Sequence, residues 1–319
     1  MFYIDQPPWH GLGQKLDKPA TAEEAIRAAN LDWETMTVPL FAEKSSVRLD
    51  VKGTFGVVRK DLWGTKACTV LGIVGKQYTP LQNRDAFAFF DPIAGKGAAI
   101  YETAGVLGDG ERVWILAKLP ENIRVIGDDI VDKYLLLSNS HDGKSAVQVK
   151  FTPIRVVCQN TLTMALSEGP TLRIAHFKNL HKRLSQAEKL LGIIGKRFDG
   201  IEANFKEMVK VRLDGDRLSD YLSDVFPDPR DPENDGALAA ARRNRLFGEY
   251  FFEEGEGNRL PGVRGTLWAA YNGITELVDH RQTKQTDDGR LNSVWFGAGY
   301  SIKARAYAIA TDRIGVWRN

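Results

Sequence analysis

Hydrophobic positions repeat most regularly between Leu180 and Met208. Leu180, Leu184, Ala187, Leu191, Ile194, Phe198, Ile201, Phe205 and Met208 step alternately by four and three residues, the spacing that lines one face of a helix. A long helix is therefore expected within 171–226. Its seam of Leu184, Leu191, Ile194, Phe198, Ile201 and Phe205 can pack on the same chain or join two subunits as a coiled coil. Gly192, Gly195 and Gly200 mark a bend or a close contact in it. Beyond the Pro-rich acidic loop Pro227–Asp235, helical spacing returns around Ala237–Glu253, Thr266–His280 and Ala298–Thr311.

The N-terminal half alternates with a shorter period. Thr21, three residues before Glu24, gives a capping-box pattern for a short helix ending near Asn30. β-Branched and aromatic residues from Trp33 to Asp61 predict two or three strands broken at Gly53 and Gly56. Further strands are expected at Thr69–Val74, Ala99–Val106 and Arg112–Lys118, with a short helix over 83–90. Asp142-Gly143 predicts a type I′ hairpin turn, because both residues tolerate positive φ. Counting outward pairs His141 with Lys144 and, further along, Tyr134 with Phe151. One face then carries Tyr134, Leu136, Val147, Val149 and Phe151 towards a core; the other carries Asn139, His141, Lys144, Gln148 and Lys150 and is polar and basic. Thr152-Pro153 reads as a helix start. Ile154, Val157, Cys158, Thr161 and Ala165 would form the apolar stripe of that helix, which runs to Gly169.

These elements define an α+β protein: an antiparallel sheet with a β-hairpin feeding a helix, followed by a long helix and a C-terminal helical region. The expected divisions are a core at 1–170, the long helix at 171–226, and helices packing on the core at 227–319. A chain of 319 residues, 43% hydrophobic and 26% charged, has the composition of a folded protein. No apolar run reaches bilayer-spanning length and the start lacks a secretory pattern, so a cytosolic protein with no membrane partner is expected. Two cysteines, Cys68 and Cys158, imply no disulfide framework. The net charge of +2 conceals an uneven spread. From Arg173 to Arg212 ten Lys or Arg face four Asp or Glu, whereas from Leu213 to Gly236 two Arg face eight Asp or Glu.

Nucleotide hydrolysis would need a Gly-rich loop of Walker spacing, which the Gly-Lys pairs here do not supply. Metal ligands on a helix sit one turn apart, but His176 and His181 are five positions apart. No metal, cofactor or catalytic set is expected. A Cys158 nucleophile with His141 as base is the enzymatic alternative, weakened because Cys158 falls on an apolar stripe where a thiol acts as a small hydrophobe. Cations interleaved with planar groups suit a nucleic-acid strand better. His141, Lys144, Gln148 and Lys150 on the hairpin, continued by Arg155, Arg173, Lys178, Lys182 and Arg183, form the expected surface for single-stranded nucleic acid in a non-enzymatic homo-oligomer.

Several blocks, namely Trp9–Gly13, Val74–Gln82, Glu102–Gly105, Ser138–Gly143, Arg155–Leu162 and Gly265–Asn272 leading to Val278–His280, resemble the phage/plasmid-like protein family built on domain of unknown function 932. The resemblance spans nearly the whole chain and implies a mobile-element origin in a bacterial host, but it brings no activity with it. Phage and plasmid genes of this size serve replication, recombination or evasion of host defence. The expected role is an annealing or replication accessory factor, or an assembly protein that blocks a host defence factor.

Overall fold

The structure, a computed structural model, describes residues 2–4, 14–16, 22–88, 99–144, 147–157, 160–161, 172–174, 198–231, 233–280 and 286–317. It is an α+β protein whose chain builds two compact units, each from three stretches of sequence. Unit 1 takes Met1–Pro120, Tyr134–Lys150 and Pro170–Ile193; unit 2 takes Glu121–Lys133, Phe151–Gly169 and Ile194–Asn319.

In unit 1, β1 (Phe2–Ile4) and β2 (Gln14–Leu16) pair in parallel. After α1 (Ala22–Ala28), the strands β3 (Thr35–Lys44), β4 (Val47–Arg59) and β5 (Gly72–Gly75) form an antiparallel sheet. After α2 (Asn83–Ala88) come β6 (Ile100–Leu107), β7 (Arg112–Ile126), β8 (Asp129–Ser140) and β9 (Val147–Phe151). They extend the first pair into a larger sheet ordered β9-β8-β7-β6-β1-β2, and β7 and β8 run on into unit 2. Val113 to Ala117 and Tyr134 to Ser140 are buried at every position. Strands covered on both faces lose the alternation of a half-exposed strand. For that reason the polar, basic face expected for β8 is absent: Asn139 and His141 point into the protein as surely as Leu136 does.

The turn after β8 also differs from expectation. Only Gly143 takes positive φ, at 72°. Asp142 instead closes the turn with its side chain, accepting from the Lys144 amide at 2.8 Å and from the Ser140 hydroxyl, an Asx-type turn. Type I′ geometry appears at Ser45-Ser46, with φ of 49° and 70° between the paired residues Lys44 and Val47.

In unit 2, β10 (Ile154–Arg155) pairs with the start of β8, and β11 (Asn160–Thr161) pairs with β10. The helix expected from Thr152 is therefore replaced by strands at these positions. Backbone pairing of Ile154 and Arg155 with Asp132 and Val131 wins over the local N-cap signal. Among the described residues six helices follow: α3 (198–210), α4 (Gly215–Val225), α5 (Asp235–Glu254), α6 (Leu267–His280), α7 (Asp287–Trp295) and α8 (Ala298–Trp317). Every residue from Leu267 to Asp279 is buried, which makes α6 the central helix of the unit.

The heptad seam packs inward where it is described. Phe205 lies 4.6 Å, centroid to centroid, from Trp268, and Phe198 meets Phe151 edge to face at 4.5 Å. Phe198, Ile201 and Phe205 are buried in their own chain and do not face a second subunit. Leu184, Leu191 and Ile194 lie outside the described residues. Among the described residues, no helix is long and apolar enough to cross a membrane.

Candidate functional site

The turn at His141–Lys144 is fixed from beneath by neutral polar groups of unit 1. Asn83 donates through its amide nitrogen to the carbonyls of Leu31 (3.1 Å) and Trp33 (3.3 Å). That orientation turns Oδ1 towards His141, so Nε2 donates to it at 3.0 Å. The other ring nitrogen faces the Thr35 hydroxyl at a long 3.5 Å, and that hydroxyl also reaches Gln82 Oε1 at 3.5 Å. Trp33 closes over the imidazole with ring centroids 5.3 Å apart, and His141 is 0% exposed. The backbone is held as well: His141 N–H donates to Glu111 O at 2.7 Å, and Asn139 donates to Leu81 O at 2.9 Å.

Around this anchor the turn lies flat against β5. A Cβ placed on Gly72 would overlap the backbone of Asp142, and one on Gly143 would meet Val74, so both glycines are needed for the approach. Asp142 also acts electrostatically. Burial pushes the Tyr78 hydroxyl well above its ordinary range and the Asp142 charge adds to this, while burial lowers Arg112 against an opposing pull from Asp142. Lys144 projects into solvent beside the end of β5, where Ile73 and Lys76 are exposed. Gln148 and Lys150 are half-buried on β9, and Arg173, expected in a helix, lies on the strand Leu172–Ile174 opposite Gln148.

Unit 2 holds a second centre, made of charges. Arg155 binds Asp129 through two parallel hydrogen bonds, Nε to Oδ1 at 2.8 Å and Nη2 to Oδ2 at 2.7 Å. Its remaining donors reach Asn258 Oδ1 at 3.0 Å and the carbonyls of Gly257 and Glu256. Trp268 donates to the same Asp129 carboxylate at 2.8 Å. In the same unit, Lys303 binds Asp279 Oδ1 at 2.7 Å and the Thr161 carbonyl at 3.0 Å, and Thr161 gives both its amide and hydroxyl to Asp279 Oδ2. All four charged side chains are fully buried. Burial lowers Lys303 below the usual lysine range, partly offset by Asp279.

Two residues expected on the nucleic-acid surface are thus internal. His141 is consumed by Asn83 and Thr35, and Arg155 by Asp129 and Asn258. Lys144 remains exposed as expected. Lys178, Lys182, Arg183 and Cys158 lie outside the described residues, as does the side chain of Arg173. Asp129, Asn258 and Lys303 are not among the residues expected in a site, whereas Trp268 falls in the Gly265–Asn272 block. Lys303 leaves a local signal, since it falls on the stripe Gly299, Lys303, Ala306, Tyr307 and Ala310. The structure joins the block containing Arg155 and Thr161 to the one containing Trp268 and Asp279, and the Val74–Gln82 block to Ser138–Gly143.

No curated protein and no solved structure matches the chain. A family model described as a domain of unknown function (DUF932) matches residues 70–295, a span that includes the hairpin turn and most of both buried centres. The chain belongs to the DUF932 family.

Proposed function

We propose that this protein binds single-stranded nucleic acid along the edge of unit 1 formed by the turn 141–144 and the end of β5. The observation that carries the reading is an exposed Lys144 on a turn immobilised by buried His141, next to exposed Lys76 and Ile73. Cations follow a phosphate backbone, and exposed apolar or planar side chains stack on unpaired bases. The β4–β5 connection supplies one more of each, with Trp63 and Lys66 exposed, while Lys60 is paired with Glu34 at 3.1 Å. A fixed turn loses little side-chain and backbone freedom on binding. The family resemblance supports a phage or plasmid setting in a bacterial cytoplasm, with an annealing or replication accessory role.

A mobility shift with single-stranded oligonucleotides tests this. Binding is expected at low salt, weakening along a straight line in log salt. Absence of binding at low salt would sink it. A second reading, an assembly protein directed at a host defence factor, is favoured by the exposed apolar ribbon of β3 and β4.

A further inference from the structure

From Phe41 to Gly53 every residue of the β3–β4 ribbon is exposed. Its side chains are not those of a solvated loop. Val47, Leu49 and Val51 alternate along β4 and are 61%, 65% and 42% exposed, and Ala42 lies opposite Leu49 on the same face. A two-stranded ribbon with one apolar face and no layer beneath it is marginal in water, whereas four strands sharing such a face are stable. The ribbon has an edge on which to grow. β4 pairs with β5 only from Thr54 to Val57, so among the described residues its outer edge from Val47 to Val51 carries no strand.

The phase of the hairpin says which groups point outward along that edge. Lys44 and Val47 flank the two-residue turn and exchange hydrogen bonds with each other, as do Ala42 and Leu49 two positions on. Arg48 and Asp50 fall between these pairs and direct their N–H and C=O groups to the free side. The sequence Val47-Arg48-Leu49-Asp50-Val51 is also complementary to its own reverse. Laid antiparallel on a second copy with Leu49 opposite Leu49, it sets each Arg48 against an Asp50 and each Val47 against a Val51. The same register sets the outward N–H and C=O groups of Arg48 opposite those of Asp50, so backbone phase and side-chain charge require one alignment. Within one chain Arg48 and Asp50 are loosely paired, at 3.7 Å, and the Arg48 guanidinium rests on the Phe41 ring at 3.8 Å; both charges stay exposed towards the edge.

We propose that the free edge of β4 pairs with the same edge of a second copy of this chain, antiparallel about a two-fold axis at Leu49. The product is a four-stranded sheet β3-β4-β4-β3 whose two central strands bring Val47, Leu49 and Val51 of both copies together on one face, flanked by Ala42 with Lys44 at the corners. The partner's chemistry is thus the chain's own, and the pairing does not depend on nucleic-acid binding.

Cysteine cross-linking reads the register directly. Residues in a non-hydrogen-bonded antiparallel pair have Cα atoms about 4.5 Å apart, within disulfide range. With Cys68→Ser and Cys158→Ser in place, Leu49→Cys is expected to form a covalent dimer under mild oxidation. Val47→Cys alone is expected to stay monomeric but to couple to Val51→Cys when the two are mixed. Charge reversal tests the same register in the unmodified background. Arg48→Asp or Asp50→Arg alone should weaken dimerisation roughly tenfold by sedimentation, since each puts like charges together twice, and the double exchange should restore it. Circular dichroism confirms that each variant is folded. The proposal is overturned if the wild type sediments as a monomer, if Val47→Cys cross-links to itself as readily as Leu49→Cys, or if the single reversals leave the dimer intact.

Discussion

The two buried polar centres solve one problem by opposite means. Unit 1 seats the buried side of its turn on hydrogen bonds among an imidazole, two carboxamides and a hydroxyl, while the Asp142 carboxylate closes the more exposed side. Unit 2 is built on two fully buried ion pairs, Arg155–Asp129 between strands and Lys303–Asp279 between helices, with Trp268 and Thr161 linking each pair to the other kind of element. A neutral network can lose a member and leave one unsatisfied bond; a buried ion pair that loses a member leaves an uncompensated charge. The charged centre is therefore the more brittle. Its residues look like surface residues in sequence because their partners lie far along the chain.

The largest expected effect follows from that contrast. Arg155→Met or Lys303→Met should destabilise the protein by about 3–5 kcal/mol in urea unfolding. Pairing Arg155→Met with Asp129→Leu should recover part of the loss, because no lone charge is left buried, while Trp268 Nε1 and Asn258 Oδ1 still lose their partners. In unit 1, His141→Ala should cost less, about 1–3 kcal/mol, since it strands only neutral partners. A His141 substitution as damaging as Lys303→Met would erase the distinction between the centres.

Alkaline titration separates the two kinds of buried group further. Tyr221 and Tyr307 titrate above their ordinary value of 10.0 because burial disfavours the phenolate. The unfolded chain releases those protons first, so their contribution is complete below pH 10 and is lost as the pH rises through the folded value. Lys303 has the opposite sign. Its folded pKa lies below 10.5, so its contribution grows as the pH climbs towards 10.5. The difference in unfolding free energy between wild type and Lys303→Met should therefore widen as the pH rises towards 10.5. Both proteins share the tyrosines, so their loss cancels in that difference. The smallest effect on stability belongs to the exposed turn: Lys144→Ala should change it by less than about 0.5 kcal/mol.

Local signals in the sequence were dependable where a segment's neighbours are local. The capping pattern before Ala25, the strands at β6 and β7, and the apolar stripes of α5, α6 and α8 all correspond to elements of the structure. The long helix expected over 171–226 is interrupted: α3 ends at 210 and α4 starts afresh at Gly215, where Asp214 caps it by accepting from the Arg217 amide and Leu218, Tyr221, Leu222 and Val225 carry a stripe of their own. Thr152-Pro153 misled because a good cap is overruled by strand pairing with residues more than twenty positions earlier.

The candidate surface was half legible for the same reason. Lys144 is where the turn predicts it, because an Asp-Gly turn projects its next residue outward in either geometry. His141 and Arg155 were expected beside it as cations. Their partners Asn83, Asp129 and Asn258 stand 58, 26 and 103 positions away, a separation that no local pattern encodes.

The assignment of exposed cations to binding and buried ones to structure is tested most directly by the salt dependence of single-stranded oligonucleotide affinity for wild type and for Lys76→Ala/Lys144→Ala. The account predicts a variant as stable as wild type, with a log–log slope shallower by about 0.7 for each phosphate contact removed. An unchanged slope in a folded variant, or a wild type that fails to bind at low salt, would contradict it.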